Sequence, residues 1–283
     1  MKTYQCLGFV GLAAASLFAS QAFATVCPVA PIGGAVTQGG PACIAPTSPD
    51  LPGDNSLQGL LDSVTNSGPG IDVYNGQAHP SAWWSVASSS GSFNNLVFEI
   101  AGNANLNSFG IFDPTNRSNR LELFSGAANA GSKSVLVNNG GGNYLAGPTF
   151  GTPASAHFGA DNLFGYYLDT PTGFFYSVPS MNNDAGSEAY YPNGMPHMVA
   201  FQGDGVTKLL LPGSSKPALF DQGEYFLAWE DQPFLNSDLD YNDFVVLVES
   251  VHPVPEPAAL GMFGFGALMI GVAVGMRRRR EDV

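Results

Sequence analysis

Tyr225-Phe226-Leu227-Ala228-Trp229-Glu230-Asp231, then Gln232 to Ser237, then Asp238-Leu239-Asp240-Tyr241-Asn242-Asp243-Phe244-Val245-Val246-Leu247-Val248, places two apolar runs on either side of an acidic connection. The second run is apolar at every position from Phe244 to Val248. A strand with one wet face alternates, so this run predicts a strand central in its sheet. Working outward, short apolar and aromatic runs recur upstream between turn signals: Ile71 to Tyr74, Leu96 to Ile100, Phe109 to Phe112, Leu121 to Phe124, Ser134 to Val137, Leu163 to Leu168, Phe174 to Val178 and His197 to Gln202. With 35 Gly and 21 Pro, about a fifth of the chain is turn-forming residues, which excludes long helices and favours many short strands. The expected fold is all-β, an antiparallel β-sandwich or jelly roll over residues 71–251. No internal repeat of solenoid length is evident.

Charge narrows the function classes. The 283-residue chain carries a formal charge of −13, and residues 25–254 alone hold 20 acids against 5 bases. Nothing basic is left to neutralise phosphates, so nucleic-acid binding is excluded, while cations are attracted.

Within the acidic connection, Asp238, Asp240 and Asn242 repeat the 1-3-5 oxygen spacing of a calcium loop, which turns every second side chain toward one cation. Asp231 and Asp243 add carboxylates at its two ends. Closely packed carboxylates repel one another, and Ca²⁺ is the hard cation that takes six or more oxygens. Mg²⁺ prefers to keep its own waters, and Zn²⁺ is disfavoured for want of Cys or neighbouring His. The loop is not an EF-hand, because Asp243 stands where that loop needs Gly and a β-run follows. The competing reading is that these acids only cap a turn through local backbone amides. The expected ligands of a bound Ca²⁺ are Asp231, Asp238, Asp240, Asn242 and Asp243.

The same residues resemble a secreted bacterial domain, domain of unknown function 4114, marked by an aromatic-Glu-Asp strand end and Asp-x-Asp-Tyr-Asn-Asp before a hydrophobic strand. Glu230-Asp231 and Asp238 to Val246 carry the likeness. Asn193-Gly194-Met195-Pro196-His197-Met198-Val199 looks like a second block of that family, with one residue fewer between Asn and Gly. Phe164 to Leu168 with Phe174-Phe175-Tyr176 is a weaker third. The resemblance spans residues 93–251 and implies a β-sandwich with a cation-dependent turn and no assigned activity.

The two ends read as addresses. Lys2, an apolar run from Cys6 to Phe18, and Ala22-Phe23-Ala24 before Thr25 form a secretory signal peptide over residues 1–24, cut by signal peptidase after Ala24. At the other end Val254-Pro255-Glu256-Pro257 precedes an apolar stretch, residues 258–276, and Arg277 to Arg280. Nineteen helical residues reach about 28 Å, enough to span a bilayer, with the arginines held on the cytoplasmic side. This ending, residues 254–283, resembles the PEP-CTERM sorting signal of Gram-negative bacteria. That resemblance implies transient anchoring in the inner membrane, processing by an exosortase, and a body placed at the cell surface or outside the cell. It also associates the chain with exopolysaccharide and biofilm matrix. A permanent single-span anchor is the plainer alternative.

Export removes Cys6 and leaves Cys27 and Cys43, an even pair in an oxidising compartment, so a disulfide is expected. It staples a Pro/Gly-rich arm, residues 25–70, which reads as linker apart from a Leu57, Leu60, Leu61 cluster able to form one helical turn or a small docking element. His197, His79 and His157 read as turn or core residues before ligands. Trp83-Trp84 offers at most one exposed ring to a sugar, since adjacent strand residues face opposite sides. No nucleophile elbow, zinc-protease or phosphate-loop motif is present. The expected function is therefore a non-enzymatic structural or interaction protein of the cell surface or extracellular matrix. A carbohydrate-binding module and a polysaccharide-modifying enzyme stand as alternatives.

Overall fold

The computed structural model describes residues 27, 29–30, 34–35, 37–38, 42–46, 56–78, 83–86, 91–99, 106–148 and 152–254. The signal peptide with Ala22 and Ala24, the motif residues Pro255, Glu256 and Pro257, the stretch 258–276 and His79 lie outside the described residues. Among the described residues no helix is long and apolar enough to cross a membrane.

Two antiparallel sheets are built from β1 (Gln77–Ala78), β2 (Ser92–Glu99), β3 (Ser108–Asp113), β4 (Asn116–Phe124), β5 (Lys133–Asn138), β6 (Asn143–Pro148), β7 (Ala154–His157), β8 (Gly165–Thr170), β9 (Gly173–Tyr176), β10 (Met198–Gln202), β11 (Glu224–Trp229) and β12 (Phe244–Glu249). The larger sheet has the order β7-β6-β5-β2-β12-β11-β10-β1, and the smaller the order β4-β3-β8-β9. The chain is all-β and sandwich-like in character.

The run Phe244 to Val248 lies between β2 and β11, with Leu227 opposite Val246. Both of its faces are buried, and the period-2 alternation of strands divides them between two cores. Phe244, Val246 and Val248 join Tyr225, Leu227 and Trp229 of β11 and Phe109, Ile111, Tyr166 and Leu168 of the smaller sheet. Val245 and Leu247 join Phe226 and Ala228 on the other face. The larger sheet is therefore covered twice, by the smaller sheet on one side and by the N-terminal segment on the other.

That second cover corrects the linker reading for the described residues 42–46 and 56–70. Leu57, Leu60, Leu61 and Val64 repeat at helical spacing and form the helix Leu57–Val64, with all four buried. Ser56 caps it, its Oγ accepting from the Gly59 N–H at 3.1 Å. Leu57, Leu61 and Val64 pack in the core with Val97, Val199, Phe226 and Val245. Each such side chain stabilises the packed state by about 1.5 to 3 kcal/mol, far more than a tethered linker contributes. Thr65–Ser67 then pairs with Lys208–Leu209. Cys27 and Cys43 are joined by a disulfide, with Cα atoms 5.7 Å apart, and Ala42, Cys43 and Ile44 are buried.

Candidate metal centre

The candidate centre lies where β11 ends and β12 begins. The last paired residues are Trp229 and Phe244; one step beyond them stand Glu230 and Asp243. Glu230, Asp231, Asp238, Asp240, Asn242 and Asp243 are all buried, Asp240 and Asn242 completely. Carboxylate oxygens of Glu230, Asp240 and Asp243 lie within 4.8 Å of one another.

The loop that delivers them is held by its intervening residues. Leu239 and Tyr241 have φ of 60° and 56°, a left-handed conformation that costs roughly 1 to 2 kcal/mol for each residue with a Cβ. Both side chains are fully buried in the core under the larger sheet. The Tyr241 hydroxyl donates to the Pro196 carbonyl at 2.6 Å, and the Leu239 carbonyl accepts from the Ala45 N–H at 2.8 Å. Burial of the odd-numbered residues thus offsets the backbone cost and fixes where 238, 240 and 242 stand.

Local hydrogen bonds distribute the oxygens. The Asp240 carboxylate accepts from the Asn242 N–H at 3.1 Å and from Asn242 Nδ2 at 2.7 Å. Asp243 Oδ2 accepts from the Asp231 N–H at 2.8 Å. Asp231 Oδ2 accepts from Asn107 Nδ2 at 2.8 Å, and the Asp231 carbonyl accepts from Thr172 Oγ1 at 3.0 Å. Asn107 and Thr172 flank strands of the smaller sheet, so the centre ties both sheets together.

Burial drives the Glu230 carboxyl well above its ordinary range, and the neighbouring charges of Asp243, Asp238, Asp240 and Asp231 push it further. Asp243 is raised in the same way, by burial and then by Asp231, Asp240 and Asp238, against the lowering hydrogen bond from Asp231. Glu230 Oε2 is buried with no hydrogen-bond partner among the described residues. Such a group either takes up protons or surrounds a cation. The donors are hard carboxylate and amide oxygens, which fits Ca²⁺.

Of the five residues expected from sequence, Asp240 and Asp243 share the tight cluster. Asp231, whose Oδ2 accepts from Asn107, and Asp238 stand close enough for their charges to raise Glu230 and Asp243, and Asn242 donates to Asp240. Glu230, absent from the expected ligands, is the third member. Its signal was present, since it directly precedes Asp231, but a strand-terminal Glu has no place in a 1-3-5 pattern. Asn107, 124 residues from Asp231, carried no local signal at all.

His197 is not a ligand in this arrangement. Its Nε2 lies 2.7 Å from Asp184 Oδ2, its Nδ1 3.1 Å from the Glu230 carbonyl, and its ring stacks on Phe175 with centroids 3.9 Å apart. Both nitrogens are committed, and the residue positions the end of β11. His157 is exposed with Nδ1 3.2 Å from Asn143 Oδ1. Neither Trp83 nor Trp84 offers an exposed ring to a sugar. Trp84 packs between Tyr166 and Tyr225, and Trp83 is buried against Phe112 outside the smaller sheet.

No family model, curated protein or solved structure matches the chain.

Proposed function

We propose that the chain is an exported β-sandwich protein whose structure is locked by one Ca²⁺ at Glu230, Asp240 and Asp243, with Asp231, Asp238 and Asn242 around it. Its role is structural or interactive, at the cell surface or in the extracellular matrix, and it is not an enzyme. The carrying observation is the trio of buried carboxylates within 4.8 Å, together with the buried, unpartnered Glu230 Oε2. A cation converts that repulsion into attraction and joins β11, β12 and the smaller sheet at one point.

The remaining parts of this reading come from the sequence: the signal peptide, the Pro255-Glu256-Pro257 sorting signal resembling PEP-CTERM, and the likeness to domain of unknown function 4114. They support export from a Gram-negative cell, exosortase processing and an association with exopolysaccharide. Thermal melting of the processed protein with Ca²⁺ and with chelator tests the proposal. The melting temperature rises with Ca²⁺, and Asp240→Ala abolishes the difference; equal melting of the parent protein in both conditions would refute it.

A further inference from the structure

The outer face of the smaller sheet carries a second constellation, remote in role from the acidic centre and independent of it. Register places Arg120 and Glu122 of β4, Gly110 and Phe112 of β3, Tyr167 and Asp169 of β8, and Phe174 and Tyr176 of β9 on that face. A Cβ on Gly110 would lie 2.8 Å from Tyr167 Cε1, so glycine there lets the Tyr167 ring lie across β3. Arg120 crosses this floor. Its guanidinium sits 3.6 Å from the Phe174 ring centroid and 5.6 Å from that of Tyr167. Its Nη2 donates to the Tyr176 hydroxyl at 3.0 Å. Arg117 lies 5.9 Å from the Tyr176 centroid.

Two features are out of keeping with a purely structural arginine. Residues 25–254 hold only 5 bases against 20 acids, and two of the five stand on this one strand. Among the described residues neither has a carboxylate within 4 Å, the ion pair found there being His197 with Asp184. In so acidic a chain, a guanidinium held on aromatic faces, with one Nη2 N–H given to Tyr176 and its Nε buried, presents its remaining terminal N–H groups as a preorganised fork for an incoming carboxylate. Phe174 beside it is 38% exposed, an apolar surface at the same spot. Asp169 feels the charge of Arg120, and it acts with Glu122 on Tyr167, so acceptors flank the fork.

We propose that this face binds a carboxylated sugar, such as a uronate unit of an acidic polysaccharide. The sugar carboxylate meets Arg120, its C–H face packs against Phe174, and its hydroxyls donate to Glu122 and Asp169. A polymer that offers charge without hydroxyls, such as tri-glutamate, brings the carboxylate to Arg120 but not the hydroxyl donors that Glu122 and Asp169 accept from.

The test is calorimetric titration of the processed protein with tri-galacturonate, maltotriose and tri-glutamate, with free Ca²⁺ matched in cell and syringe. Tri-galacturonate is expected to bind in the millimolar range or tighter. Arg120→Ala and Phe174→Ala, each verified as folded by circular dichroism, are expected to weaken it about tenfold or more. Arg120→Lys, which keeps charge but loses the fork, is expected to weaken it as well. No binding of tri-galacturonate, equal binding of maltotriose or tri-glutamate, or an affinity unmoved by both alanine variants would overturn the assignment. Since neither variant touches the acidic centre, its Ca²⁺-dependent melting stays as in the parent, which separates failure here from failure of the calcium reading.

Discussion

Replacing Glu230 by Gln separates a metal centre from a mere acidic turn, because only a metal centre makes the effect of the substitution depend on Ca²⁺. The substitution keeps shape and removes one charge from three carboxylates lying within 4.8 Å of one another. At an effective dielectric of about 20, each ionised pair at that distance repels by about 3 kcal/mol. Proton uptake limits the penalty, since holding one ordinary carboxyl protonated at pH 7 costs about 4 kcal/mol. In chelator, Glu230→Gln therefore relieves up to about 4 kcal/mol, a rise in Tm of about 8 to 16 °C for a domain of this size. With Ca²⁺ at about a thousand times its Kd, the ion stabilises the parent by about 4 kcal/mol, and the variant loses most of that. Scanning calorimetry of both proteins across a Ca²⁺ series should show the curves converging, the variant melting higher without metal and the parent rising to meet it as Ca²⁺ is added. Parallel curves, or a variant less stable in chelator, would refute the reasoning.

Three further outcomes follow. Asn107→Ala, which removes the donor to Asp231 Oδ2, should weaken Ca²⁺ binding about tenfold or more with little change in the chelated melt; isothermal titration checks this. Reducing the Cys27–Cys43 bridge, a 16-residue separation, should cost on the order of 3 kcal/mol, read as a lower Tm in saturating Ca²⁺, and an unchanged Tm would count against the arm being a fixed part of the domain. Glu224 faces Glu249 directly across β11 and β12, and burial first, then Glu249 and Asp221, raise its carboxyl from 4.5 to about 7. A raised acid binds its proton more tightly when folded, so its contribution is fully present below about pH 4.5 and is lost as pH rises through about 7. Glu224→Gln in saturating Ca²⁺ should thus raise Tm at pH 8 and leave it nearly unchanged at pH 4.5, and equal effects at the two values would contradict that assignment.

Legibility of the fold in the sequence followed the strength of each local signal. Phe244 to Val248 is apolar without interruption, and a strand buried on both faces is the solution that pattern permits. Leu57, Leu60, Leu61 and Val64 hold helical spacing too, but the Pro, Gly and Ser around them carry stronger turn signals, so the sequence pattern places the start of the domain at Ile71. What the pattern could not convey was that the larger sheet had a second apolar face needing cover. At the candidate centre, Asp240 and Asp243 were visible because both fall in one loop. Glu230 was hidden because it is brought opposite Asp243 by β11–β12 pairing, and Asn107 because only the stacking of the sheets brings it to Asp231. Left-handed backbone at Leu239 and Tyr241 had no sequence signal, since neither is Gly, Asn or Asp; the core that holds their side chains imposes it.

The central claim is tested most directly by counting metal in the processed protein, purified without chelator and dialysed against metal-free buffer, by mass spectrometry of the intact folded chain. The account predicts one calcium per chain, removed by chelator and restored on readdition. A chain that carries no ion, and takes up none when Ca²⁺ is supplied, would contradict it.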